Sequence, residues 1–119
     1  MALFRVRVAI GNLTQPDRRR ELELLVDTRS LFTWVSAPLL EEIGIVPAET
    51  SEFQTITGTL IQRRLGYAQV VWNGRTGPIY VVFAEPGDVN VLGVTALENL
   101  RVSADPVRQV LVPTVALAV

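Results

Sequence analysis

In the segment Leu24-Leu-Val-Asp-Thr-Arg-Ser30, three apolar residues are followed by the carboxylate of Asp27 and then by the hydroxyl residues Thr28 and Ser30. Three consecutive apolar residues predict the end of a buried β-strand, so Asp27 is expected where that strand leaves the core. Asp, Ser and Thr commonly close a turn at such a position by bonding nearby backbone amides. A carboxylate placed there is also a candidate for acid–base chemistry. The segment alone leaves both interpretations open.

Composition limits the chemistry that the chain can carry. Its 119 residues are 49% hydrophobic and 19% charged, which predicts one globular domain over residues 1–119. The absence of Cys and His excludes a thiol nucleophile, a Ser-His-Asp triad, a disulfide framework and a His/Cys zinc site. We expect no metal and no cofactor, so catalysis is restricted to carboxylates, hydroxyls and Arg.

Charge and hydropathy restrict the partners and the location. A net charge of -1 gives no electrostatic reason to expect a nucleic acid or an anionic membrane as partner. The first eight residues alternate apolar residues with Arg and lack the continuous apolar stretch of a signal peptide. The run 110–119 is interrupted by Pro113 and is about half the length needed to span a bilayer. We expect a soluble, cytoplasmic protein.

The remaining chain reads as short strands with two brief helices. Period-two patterns and turn residues predict strands at 4–10, 21–26, 53–57, 60–72, 79–84 and 89–92, with a final hairpin at 101–112. Helices are predicted at 36–44, with Ser36 as N-cap and Gly44 at its end, and at 95–100. Reversals are expected at 57–59 and at Asn73-Gly74. The predicted class is all-β with one or two short helices.

Three motifs occur in an order that resembles a known family. The segment 24–30 is followed by the helical Pro38-Leu-Leu-Glu-Glu-Ile-Gly-Ile45 and then by Val91-Leu-Gly-Val-Thr-Ala-Leu97. This order and spacing resemble the retropepsin-like (retroviral-type) aspartic proteases, in particular their small bacterial members. The resemblance covers residues 4–113 and implies a closed acid-protease barrel.

The resemblance also implies roles for individual residues. Asp27 corresponds to the catalytic Asp, and the rest of its loop supports it. Later segments of the chain correspond to the family's second motif and to its flap, the hairpin that covers the substrate. These positions are Thr28, Arg29 and Ser30 in the loop, Leu92 and Gly93 in the second motif, and Thr57, Gly58 and Thr59 at the flap tip.

One chain supplies only one such Asp, so the resemblance implies a homodimer with Asp27 used twice and an extended peptide or protein as substrate. Two carboxylates roughly 3 Å apart share one proton, which gives a base and an acid. Thr28 would then bond across the two-fold axis. The apolar tail 115–119 and the strand near Phe4 would form a sheet between the subunits, the alternative being that the tail packs on its own core.

Arg29 departs from the family pattern, which has Gly after Asp-Thr. Glycine allows backbone to approach the carboxylates and the substrate closely, whereas Arg brings a long side chain and a positive charge. Two hypotheses follow and stay open. In one, the protein is an aspartic endopeptidase with Arg29 turned outward. In the other, it is a catalytically silent dimer that binds peptide or serves a structural role, with Asp27–Arg29 pairs as a clasp.

Three further charged features have simpler interpretations. Asp88 is expected as an isolated turn residue. The Arg63-Arg64 pair is expected on a solvated strand edge, and Glu41-Glu42 on the outer face of the first helix.

Overall fold

The computed structural model describes residues 2–115 and 118, and most of these belong to nine β-strands and two short α-helices. In chain order the elements are β1 Ala2–Gly11, β2 Arg19–Asp27, β3 Thr33–Ser36, α1 Ala37–Glu42, β4 Glu49–Gln54, β5 Leu60–Trp72, β6 Arg75–Ala84, β7 Val91–Leu92, α2 Val94–Leu100, β8 Val102–Asp105 and β9 Val110–Pro113.

Seven of the strands form one sheet that curves back on itself. Their order is β1-β2-β7-β3-β6-β5-β4, and β1 also pairs with β5, in a ladder centred on Ile10 and Val70. This extra pairing closes six strands into a ring, from which the β4–β5 hairpin extends. Strands β8 and β9 form a separate two-stranded sheet. The predicted all-β class with two short helices is confirmed.

Alternation along the strands directs apolar side chains into one core. Ile10, Leu24, Val26, Val81 and Phe83 are completely buried. Burying one such side chain stabilises the fold by roughly 1.5–3 kcal/mol. Leu24 and Val26 alternate with the half-buried Leu25, so the strand that leads to Asp27 is fixed by its own core residues.

Strand β3 was not predicted from the sequence. It pairs in parallel with β6, from Thr33 opposite Val81 to Ser36 opposite Ala84, and meets β7 in an antiparallel pair at Trp34 and Val91. Its partners lie far along the chain and it has only four residues, so no local periodicity distinguishes it from a loop.

The two helices lie within one or two residues of their predicted bounds. Gly44 has a φ of 81°, which suits its predicted place at the end of the first helix. Ser36 occupies the N-cap position of α1 but its side chain makes no capping hydrogen bond, so the predicted cap is wrong in that respect. Pro38 in the first turn supplies the start signal instead, because its fixed φ suits a helix and its missing N–H costs nothing there.

The hairpins follow the predicted turns more closely than the predicted strands. Asn73 and Gly74 both have positive φ, at 48° and 80°, and join β5 to β6 as expected. The strand predicted at 53–57 is wrong, because β4 ends at Gln54 and residues 55–59 form the turn. Within that turn the Gly58 N–H donates to the Thr55 carbonyl at 2.9 Å, which ends the ladder early.

No helix among the residues described, 2–115 and 118, has the length and apolar character needed to cross a membrane. The predicted intersubunit role of the tail concerns Ala116, Leu117 and Val119, which lie outside the described residues.

Candidate active site

The loop after β2 holds the carboxylate of Asp27 through local hydrogen bonds. The backbone N–H of Arg29 donates to Asp27 Oδ1 at 3.0 Å, and the Ser30 N–H donates to the Asp27 carbonyl at 3.2 Å. The Ser30 hydroxyl donates to the Phe32 carbonyl at 2.8 Å. The turn interpretation of Asp27 is therefore correct, and the same bonds fix the carboxylate at the end of the strand.

The second motif lies beside this loop because β7 runs parallel to β2. Leu25 is opposite Val91 and Val26 is opposite Leu92, so Gly93 follows the strand end that lies next to Asp27. The Val94 N–H donates to the Ser30 carbonyl at 2.8 Å. The structure thus brings together the two motifs that the sequence separates by more than sixty residues.

Gly93 is required by the closeness of these two segments. A Cβ at this position would overlap the Phe32 carbonyl and would lie 2.8 Å from the Ser30 carbonyl oxygen. Its φ of -84° is open to any residue, so the requirement for glycine is one of space and not of conformation.

A groove of about 650 Å³ opens in front of Asp27. Asp27, Arg29 and Ser30 line it, and the turn 87–89 forms part of its wall. Aromatic and apolar side chains supply most of the remaining surface, a composition typical of sites that bind ligands. They are Leu31, Phe32, Trp34, Phe53, Ile56, Ile61 and Val91.

Three aromatic rings join the β4–β5 hairpin to the body of the protein. The centroid of the Phe53 ring lies 5.1 Å from that of Trp34 and 6.0 Å from that of Phe32, and both ring pairs are edge to face. The ring centroids of Phe32 and Tyr80 are 5.5 Å apart. Such pairs add about 0.5–1.5 kcal/mol to the effect of burial. The hairpin therefore packs over one side of the groove.

The predicted flap-tip residues Thr57, Gly58 and Thr59 form the exposed turn of this hairpin. Gly58 has a φ of 88°, and the Thr59 N–H donates to Thr55 Oγ1 at 3.1 Å. The hairpin lines the groove through residues 53–56, which precede this tip, and through Ile61, which follows it. The sequence analysis missed these residues; the signal that could have found them is Ile56, a large apolar residue within the turn, which the structure leaves 94% exposed.

The charge around Asp27 favours its ionised form. Its pKa lies below the ordinary value: partial burial acts to raise it, but hydrogen bonds, including that from the Arg29 amide, and nearby positive charge, including the Arg29 guanidinium, lower it. Thr28 and Arg29 are exposed, and Ser30 is half-buried. Within one chain, the hydrogen bond from Arg29 to Asp27 comes from the backbone amide. The predicted clasp between the Arg29 guanidinium and the Asp27 carboxylate stays a prediction.

Asp88 and Arg63 are not the isolated turn residue and solvated cation that the sequence indicated. Arg63 Nε lies 2.7 Å from Asp88 Oδ2 and Nη2 lies 3.0 Å from Oδ1. The predicted turn role of Asp88 is correct, since its Oδ2 accepts the Glu85 N–H at 2.8 Å. Nothing in the local sequence predicts the pair, because its members are 25 residues apart.

Other predicted charges lie where expected or form surface ion pairs. Glu41 and Glu42 are exposed, and Glu42 lies 2.6 Å from Arg20, while Glu41 lies 3.4 Å from Arg64. Over the residues described, no group of three or more Asp and Glu side chains is arranged to hold a metal ion.

Among solved structures, the chain is similar to the solution structure of the Simian foamy virus (mac) protease. The TM-score is 0.52 at 20% sequence identity, over 78% of this chain and 92% of that chain. This similarity supports a retropepsin-like fold. No protein-family model and no curated protein matches the chain. The narrower prediction of a small bacterial member of the family stays a prediction.

Proposed function

We propose that the protein is a homodimeric aspartic-type endopeptidase in which each chain contributes Asp27. The observation that carries this proposal is the position of the Asp27 carboxylate, which the Arg29 amide holds in the lining of a largely apolar groove that the β4–β5 hairpin also lines. The solved structure to which the fold is similar is that of a protease.

The chemistry requires a second copy of the chain. Two carboxylates close together share a proton, because both cannot be ionised at small separation. The ionised Asp27 takes a proton from water, which attacks the peptide carbonyl carbon, while the protonated partner donates its proton to the carbonyl oxygen. The tetrahedral diol then collapses: its C–N bond breaks, the amine takes the proton that the first Asp27 received from water, and a diol hydroxyl gives its proton to the second Asp27 as the carboxylic acid forms. The dyad is left with one shared proton, as at the start. No metal or cofactor takes part.

The groove suits an extended peptide. Its walls offer apolar and aromatic surface for side chains, and the β4–β5 hairpin offers backbone groups next to them. A peptide that lies extended between the hairpin and the loop after β2 would gain main-chain hydrogen bonds from the hairpin and would bury its side chains against the apolar walls. The exposed hydroxyl of Thr28 is positioned on the loop that would face the second chain.

Arg29 favours a second candidate function, a silent dimer that binds peptide without cleaving it. Its side chain is exposed and lines the groove next to Asp27, and its positive charge acts to lower the pKa of that carboxyl. A cation at this place opposes the protonated state that the acid half of the dyad needs.

The deciding experiment compares the parent chain with Arg29→Gly on a diverse mixture of unstructured peptides, read by mass spectrometry between mildly acidic and neutral pH. Asp27→Asn in each background is the matched control. Cleavage that disappears with Asp27→Asn supports the proposal, and cleavage by the variant alone assigns the parent to the silent class. If neither chain cleaves any peptide, the endopeptidase proposal is wrong.

Sedimentation velocity on the parent chain tests the dimer separately. A strict monomer at concentrations well above those of the cleavage assay would overturn both candidates, because each uses two copies of Asp27.

A further inference from the structure

The ion pair between Arg63 and Asp88 joins the hairpin to the turn 87–89, which forms part of the groove wall. The two hydrogen bonds run in parallel, at 2.7 and 3.0 Å, from one guanidinium to one carboxylate. The side chains are 17% and 16% exposed, which shields the pair from solvent more than any other ion pair described in residues 2–115. Bidentate geometry with limited exposure makes this contact both strong and directional.

Each partner belongs to an element that shapes the groove. Arg63 lies on β5 two residues after Ile61, on the same face of the strand, and Ile61 lines the groove. Asp88 lines the groove itself, between Gly87 and Val89. The pair therefore ties the covering hairpin to the turn that forms the wall.

The turn that carries Asp88 has little packing behind it. A second cavity, of about 430 Å³, lies on its other side and is lined by Ser36, Pro38, Glu85 and Asp88 among others. Asp88 closes the turn through its carboxylate, which accepts the Glu85 N–H at 2.8 Å, and through its own N–H, which donates to the Glu85 carbonyl at 2.9 Å. One carboxylate thus shapes the turn and anchors the hairpin, where core packing supplies neither.

The other edge of the hairpin is attached differently. Phe53 packs against Trp34 and Phe32, and edge-to-face ring contacts of this kind tolerate sliding more than a bidentate ion pair does. The neighbouring cation Arg64 lies 3.4 Å from Glu41 and 4.0 Å from Glu85, outside the groove. Arg64 thus reaches the same turn only through one long contact between exposed side chains, whereas Arg63 holds Asp88 by two short hydrogen bonds between shielded ones.

We propose that Arg63 and Asp88 are positioning residues, whose ion pair fixes the hairpin against the wall and sets the width of the groove for a bound peptide. The effect on peptide binding rests on the proposed function, whereas the effect on the hairpin does not. The two are therefore measured separately.

The hairpin is tested without any peptide. Trp72→Phe leaves Trp34 as the one tryptophan, excited at wavelengths that tyrosine does not absorb, and its ring packs against Phe53 of the hairpin. We expect Arg63→Gln and Asp88→Asn to increase acrylamide quenching of Trp34, Arg63→Lys to restore part of the protection, and the double variant to equal the stronger single variant. Arg64→Gln is the matched control and should resemble the parent.

Equal quenching in Arg63→Gln and Arg64→Gln would overturn the proposal. Circular dichroism verifies folding, and Asp88→Asn carries the same test if Arg63→Gln does not fold. In whichever background cleaves peptides, we expect Arg63→Gln to raise KM about tenfold with a smaller change in kcat. A change confined to kcat would contradict the role in groove width. Altered quenching with no cleavage in any background would leave the ion pair's role intact and count against the proposed function alone.

Discussion

The hydroxyl oxygen of Thr33 accepts a hydrogen bond from the backbone N–H of Gly93 at 3.1 Å, and Thr33 is completely buried. The bond joins the segment that follows the Asp27 loop to the motif sixty residues later. Because both groups are shielded from water, each depends on the other for its hydrogen bond. This contact locks the candidate catalytic loop to the core.

Thr33→Val removes the acceptor while it preserves the shape of the side chain. We expect the free energy of unfolding to fall by about 2 kcal/mol, because a buried N–H loses its partner. Urea unfolding measures the loss. Thr95→Val is the control: its hydroxyl donates to the Leu31 carbonyl at 2.6 Å in a half-exposed setting that water can enter, so a smaller loss is expected. Equal losses in the two variants would show that burial of the Thr33 bond is unimportant.

Gly93→Ala should destabilise the protein through steric overlap with the Phe32 and Ser30 carbonyls. We expect a loss of about 3 kcal/mol in the free energy of unfolding. Gly74→Ala provides the contrast, since Gly74 has a φ of 80° and no atom within 4 Å of an added Cβ. Its expected cost is that of backbone strain alone, about 1 kcal/mol. A smaller loss for Gly93→Ala than for Gly74→Ala would contradict the tight approach at the second motif.

Arg29→Gln should raise the pKa of Asp27, because the guanidinium charge is lost while the backbone N–H at position 29 still donates to Oδ1. Carboxyl ¹³C chemical shifts followed against pH measure the change. Arg29→Lys keeps a positive charge and should stay close to the parent. A pKa that is the same in Arg29→Gln, Arg29→Lys and the parent would exclude electrostatic control of Asp27 by Arg29.

Acid should weaken the fold through Asp88. The hydrogen bond from Arg63 lowers the pKa of Asp88 more than burial raises it, so the folded state binds this proton less readily than the unfolded state, whose carboxyl titrates near 3.8. The stabilisation is complete above that value and is lost as pH falls through the folded pKa. We therefore expect unfolding free energy to decrease below about pH 4, and Asp88→Asn to reduce that decrease.

Urea unfolding at neutral pH and at acidic pH measures how far the free energy of unfolding falls with pH in the parent and in Asp88→Asn. Glu21→Gln removes the carboxylate of an exposed pair, in which both side chains are more than 60% exposed, and serves as control. If the free energy of unfolding falls as much with pH in Asp88→Asn as in the parent, the acid sensitivity belongs to other carboxylates.

Much of the candidate site could be predicted because it depends on neighbours in the chain. Three apolar residues before Asp27 make the end of a buried strand, and Ser30 and the Arg29 amide close its turn within three residues. Positive φ at Gly58 and at Asn73-Gly74 follows from the conformational freedom of those residues. Local backbone preferences and side-chain periodicity were enough for these features.

Tertiary structure decided which distant segments meet. The bond from Gly93 to Thr33, the insertion of β7 between β2 and β3, and the pairing of Arg63 with Asp88 each join residues that carry no mutual signal in the sequence. Arg63 has the same local pattern as Arg64, yet one is enclosed against the groove wall and the other faces Glu41 and Glu85. Side-chain alternation places them on opposite faces of β5, but only the closed ring of strands determines what each face meets.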